Sequence, residues 1–116
     1  MKIETKYDVG HTYWVPRVKK EFVKKETLVY EGEEWHRDVF ETKAYAKQKR
    51  IVTVEIKINK DSSHSIMYGV EDVEDETLDL LQWYPEANMT EHTEESALVF
   101  AEVFLSDNPD KLYYGN

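Results

Sequence analysis

The side chains able to hold a metal are four histidines, His11, His36, His64 and His92, and twenty-four carboxylates, because the chain contains no cysteine. On a helix, a ligand pair needs His-x-x-x-His or Glu-x-x-His spacing, which aims both donors the same way. No predicted helix carries such a pair; His92 and Glu95 are three apart in the reverse order, next to Glu91. These four therefore read as surface histidines. The densest acidic run, Glu71-Asp72-Val73-Glu74-Asp75-Glu76, lacks the Asp-x-Asp-x-Asp-Gly spacing of a calcium loop and reads as a solvated loop. A serine nucleophile elbow and a glycine-rich phosphate loop are both absent, the four glycines standing far apart at 10, 32, 69 and 115. Glycosidase chemistry needs two acids about 5 to 10 Å apart in a cleft, and with so many carboxylates their mere presence selects nothing. The expectation is a protein that is not an enzyme and uses no cofactor.

Binding chemistry is better represented. The formal charge of -9 divides unevenly: residues 1 to 60 carry fourteen Lys+Arg and ten Asp+Glu, and residues 61 to 116 carry one Lys and fourteen Asp+Glu. Such asymmetry points to an interaction surface, unless the halves intertwine and neutralise each other across strands. In the acidic half, Glu71, Asp72, Glu74, Asp75 and Glu76 with Trp83, Tyr84, Tyr113 and Tyr114 form a candidate protein-binding set, since aromatics dominate interface hot spots. Trp14 and Trp35 are the other tryptophans to place, in the core or at an interface. If the carboxylates lie along one face they can imitate a phosphate backbone. In the basic half, Arg17, Lys19, Lys20, Lys24, Lys25, Lys47, Lys49 and Arg50 stand near Tyr13, Trp14, Phe22 and Tyr45, the right types for phosphate contact plus base stacking. A lysine-rich edge strand is also the normal defence against sheet-to-sheet aggregation, and interspersed Glu21 and Glu26 favour that reading over nucleic acid.

These residues must be positioned by strands first and a helix last. Val52, Val54, Ile56 and Ile58 alternate with Thr53, Glu55 and Lys57, predicting a half-buried strand over 50–58. Turn formers 59–63 and the strand-like 65–70 make it a hairpin. Residues 27–30 and 35–40, flanking Glu31-Gly32-Glu33-Glu34, predict a second hairpin, and Pro16 within 10–18 predicts an edge or an irregular end of a strand. Ala97, Phe100, Ala101, Phe104 and Leu105 follow the spacing of an amphipathic helix, with Thr93 as N-cap, Glu94 and Glu95 in the first turn, and Asp107-Asn108-Pro109 as the stop. The island Leu78, Leu80, Leu81, Trp83 and Tyr84, ended by Pro85, fits a last strand or one helical turn. Leu, Ile, Val and Phe make up about a quarter of the chain, enough for a folded domain with a small core. Length and the lack of repeats indicate one domain over 1–116. No apolar stretch follows the N-terminal Met1-Lys2-Ile3-Glu4, and none approaches the roughly 18 residues of a membrane span. A cytoplasmic, non-membrane location is expected, with the redox compartment undetermined.

The opening Tyr7-Asp8-Val9-Gly10-His11-Thr12-Tyr13-Trp14, the strand 49–58, Tyr68-Gly69-Val70 with Trp83-Tyr84-Pro85-Glu86, and the helix start Thr93-Glu94-Glu95-Ser96-Ala97 resemble a group of small SH3-like barrel proteins of phage and mobile-element genes. The resemblance covers about two thirds of the chain and implies an α+β fold: a small antiparallel SH3-like β-barrel or rolled sheet followed by an amphipathic helix. Residues 19 to 48 depart from the group by length and charge, which predicts an inserted hairpin or arm. The implied function is a non-catalytic accessory protein that binds and blocks or modulates a host or phage protein in the bacterial cell, as a nucleic-acid mimic or anti-defence inhibitor. Single-stranded nucleic-acid binding and a virion assembly role are the alternatives.

Overall fold

The computed structural model describes residues 3–74 and 81–114. Four antiparallel strands follow one another in space as in sequence: β1 (Thr12–Tyr30), β2 (Glu33–Ile58), β3 (His64–Asp72) and β4 (Gln82–Pro85). A 3-10 turn at Glu86–Asn88 leads to the helix α1 (Glu94–Asp107). The fold is thus α+β, a curled half-barrel sheet with one C-terminal helix. Of the island ended by Pro85, Trp83 and Tyr84 lie in strand β4, the strand alternative, and the 3-10 turn follows it; Leu78 and Leu80 lie outside the described residues.

The concave face holds the main core, in which Tyr7, Tyr13, Val15, Ile51, Ile66, Tyr68 and Val70 are buried together. Alternation explains the choice along β1 and β3, since Tyr13 and Val15, or Ile66, Tyr68 and Val70, are two apart. Along β2 the alternation is broken. The register shifts between Ile51 and Thr53, so Val52 bulges and Ile51 enters the core. Of the expected buried face 52, 54, 56, 58, the bulge takes out Val52, Val54 packs against the core, and Ile56 and Ile58 stay on that face but are exposed toward the hairpin end.

On the convex face Val18 is buried, as are Ala97 and Ala101 of α1, which packs on β1 and β2. Thr93 caps the helix in a reciprocal box with Ser96, and Asn108 closes it. Phe100, placed on the buried stripe by spacing, is 42% exposed. Small alanines let the helix lie close, so the larger ring stays at its margin.

β1 is an edge strand, as Pro16 requires. Its outward backbone groups are covered: the Trp14 N–H donates to the His92 carbonyl, and Val18 exchanges two hydrogen bonds with Tyr113. The two pairings flank Pro16, which has no N–H to satisfy.

Beyond the rung Lys20↔Thr42 the β1–β2 pair continues alone as a two-stranded ribbon to Tyr30↔Glu33. Ten residues at about 3.3 Å each give it a reach of roughly 33 Å. The molecule accordingly measures 76 × 29 × 26 Å with a radius of gyration of 20.1 Å, against about 13 Å for a compact domain near this length.

Candidate functional site

The ribbon is the part of the molecule whose chemistry its own fold leaves unused. Its turn is made by Glu31 and Gly32, both at positive φ (50° and 79°), the geometry of a tight hairpin turn whose twist matches the strands. Phe22, Val23, Leu28, Val29, Tyr30, Trp35 and Phe40 are all exposed, Val29 and Tyr30 each at 70% and Trp35 at 59%. Apart from the hydrogen bond of Thr42 Oγ1 to the Pro109 carbonyl, the side-chain bonds described from Glu21 to Lys43 run within the ribbon: Arg37 to Glu26, Thr27 with His36, and Lys43 with Glu21. Phe22 and Phe40 meet edge to face, with ring centroids 5.9 Å apart.

Register distributes these side chains. Between Phe22 and Lys24 the ladder shifts and Val23 bulges, so residues of β1 beyond that point change face. One face then carries the rungs Phe22/Phe40, Lys25/Asp38, Thr27/His36 and Val29/Glu34. The other carries Lys24/Val39, Glu26/Arg37, Leu28/Trp35 and Tyr30/Glu33. Without the bulge, Leu28 and Tyr30 would lie on the face opposite Trp35. With it, the three largest exposed apolar groups near the tip share a face.

The candidate acidic set is dispersed. Glu71 is buried, with Oε1 3.3 Å from Arg50 Nη1, and Asp72 receives Lys47 at 2.7 Å and Lys49 at 2.9 Å. These pairs join the two halves of the sequence across the sheet, the neutralising arrangement that the charge asymmetry left open. Glu74 is exposed, and Asp75 and Glu76 lie outside the described residues. Trp83 is 44% exposed, Tyr84 is half-buried with its hydroxyl donating to Gln82, and Tyr113 folds back against Phe100 and Phe104. Tyr114 is exposed.

The basic set is divided too. Arg17 and Lys49 are buried, and Lys49 also donates to Gln82. Lys19 and Lys24 lie on one face of β1, Lys20 and Lys25 on the other, and Lys19 stands 4.8 Å over the Tyr45 ring. Glu21, Glu26 and Glu41 share the face of Lys19 and Lys24, and Asp38 and Glu34 share that of Lys20 and Lys25. Lys and Arg that end on two faces, among acids, do not form one continuous phosphate track.

On the concave face of the half-barrel sheet, burial pulls the Lys49 ammonium below its ordinary range, with Asp72 opposing. Burial works against the Asp72 carboxylate, but the hydrogen bonds and charges of Lys47 and Lys49 outweigh it and hold the group low. Burial raises the Tyr13 phenol far above its usual value and lifts Tyr84 as well. Phenols pushed upward stay protonated, and an amine clasped by Asp72 and Gln82 in a closed interior has no substrate face. The network ties strands together.

Of the histidines, His11 stands 2.8 Å from Glu91, His36 bonds Thr27, and His92 lies near Phe100. Among the described residues, no three His, Asp or Glu gather as metal ligands, and no helix is long and apolar enough to cross a membrane. The chain matches no protein-family model, no curated protein and no solved structure.

Proposed function

We propose that this is a non-catalytic binding protein whose β1–β2 ribbon seats on another protein. The observation that carries the reading is the exposure of seven apolar side chains on a ribbon that has no third layer among the described residues. An isolated two-stranded hairpin is marginal in water, and single chains rarely leave a contiguous apolar patch of more than a few hundred Å² uncovered unless it has a use. Net charge on the ribbon is mixed, with Glu31, Glu33 and Glu34 at its tip, which suits a protein partner better than a phosphate backbone. The curled sheet and its following helix support kinship with the SH3-like barrel proteins of phage and mobile elements. On that kinship the partner is a host or phage protein in the bacterial cytoplasm.

The elongated shape favours a second reading, an assembly component of a virion, since an arm of this kind gains its packing from neighbours. Both readings share one test. Tagged protein incubated with bacterial lysate should retain a stoichiometric partner, and a variant truncated on both ribbon faces, Phe22→Ala/Tyr30→Ala/Trp35→Ala/Phe40→Ala, should lose it. Equal retention by the variant would reject the ribbon as the contact. Neutralising Glu74, Asp75 and Glu76, which leaves the Glu71 and Asp72 ion pairs intact, tests the acidic run separately in a parallel arm.

A further inference from the structure

Resting on the ribbon as the contact element, we infer that one of its faces is covered by a second copy of this chain, the two ribbons stacked antiparallel about a two-fold axis. The face is the one bearing Lys24/Val39, Glu26/Arg37, Leu28/Trp35 and Tyr30/Glu33.

Three observations select this occupant. Apolar exposure is concentrated there, with Leu28 45%, Trp35 59% and Tyr30 70% exposed, and the last two are the residue types that anchor interfaces. Charge along the face alternates. Glu21 and Glu41 lie at its root, Glu21 held by Lys43 at 3.6 Å; next to them Glu26 holds Arg37 at 2.6 Å and Lys24 at 3.6 Å, leaving one net positive charge; and Glu33 leaves one negative charge at the tip. Antiparallel stacking brings each tip to the other root, so Lys24 meets Glu33 of the second copy twice, whereas parallel stacking sets like charges together. The rungs also match. An axis between Glu26/Arg37 and Leu28/Trp35 lays Arg37 over Trp35 of the second copy, a cation–π pairing, and sets Lys24/Val39 against Tyr30/Glu33.

The area is sufficient. Aromatic side chains of about 200 Å² exposed to this degree, with Leu28, supply roughly 350 Å² per copy. Val39 and the stems of Lys24, Glu26 and Arg37 bring the pair near the total of about 1,000 Å² that a specific interface should clear. The opposite face, with Phe22, Phe40 and Val29, stays available to the partner of the proposed function.

Sedimentation equilibrium on the purified chain across the micromolar range is the test. Wild type should approach twice the chain mass of 13.8 kDa. Trp35→Ala should weaken association by about tenfold or more. Lys24→Glu and Glu33→Lys should each weaken it, and the double charge swap should restore it, which a fold defect would not do. Val29→Asp, on the opposite face, should leave it unchanged. A wild-type chain that stays monomeric, a charge swap that fails to rescue, or a Val29→Asp variant as impaired as Trp35→Ala overturns the inference. If the monomer still captures a partner that the four-residue ribbon variant loses, the binding function stands without the dimer.

Discussion

Asp72 is the residue on which the two charge halves of the chain meet. Its folded-state pKa is lowered by Lys47 and Lys49, so its contribution to stability is present above the ordinary carboxylate pKa and disappears as pH falls through the lowered value. Asp72→Asn should therefore cost about 3 kcal/mol near neutrality, because it leaves buried Lys49 without its charge partner. The loss should shrink in acid, where wild-type Asp72 is itself protonated; urea titrations at several pH values would show it. A cost that does not change with pH would mean that the pair contributes only packing. Gly69 is constrained by contact: an added Cβ would stand 2.6 Å from Thr53 Cγ2 and 3.2 Å from the Trp83 ring. Gly69→Ala should lower stability by about 1–3 kcal/mol, and Thr53→Ser, which removes that methyl, should recover part of it in thermal melts.

At the level of elements, α1 carries its own start and stop signals. Thr93→Ala removes the acceptor for the Ser96 N–H and should cost about 1 kcal/mol, read from the thermal midpoint, while Thr93→Ser should cost little. The helix and both hairpin turns are legible from residue types, because capping and turn geometry depend on neighbours in sequence. The bulges at Val23 and Val52 are not. A period of two assigns faces only while pairing is regular, and each bulge reverses the assignment from that point on. That is why Ile51 joins the face that Val54, Ile56 and Ile58 continue, the last two exposed near the hairpin end, and why Leu28 and Tyr30 join Trp35. One signal for the ribbon does lie in the order of residue types: over residues 20 to 43, charged side chains interrupt the apolar ones on both faces, so neither face can be buried in a core.

For the whole molecule, the expectation is of a small folded body bearing a separable arm. Replacing residues 23–38 by a short turn should leave the thermal transition of the body within a few degrees, since the core residues Tyr7 to Val15 and Ile51 to Val70 lie outside the ribbon. Small-angle scattering should then show the radius of gyration falling from about 20 Å toward the roughly 13 Å of a compact domain. Collapse of the truncated chain would show instead that the arm is part of the folding unit. Wild-type tryptophan fluorescence should be strongly quenched by acrylamide at Trp35 and weakly at half-buried Trp14.

Sequence by itself determined the α+β class, the turn of the 59–63 hairpin, the acid-rich turn near Gly32, and the limits of the helix. All of these follow from preferences expressed over a few adjacent residues. It also showed the division of charge, but not its disposition. Only the tertiary structure turned Glu71 and Asp72 inward onto Arg50, Lys47 and Lys49, buried Arg17, and left the aromatic groups of the ribbon outside. The reason is that partner choice and burial are set by strand register between segments twenty or more residues apart, where a single bulged residue decides which face meets the core and which meets water.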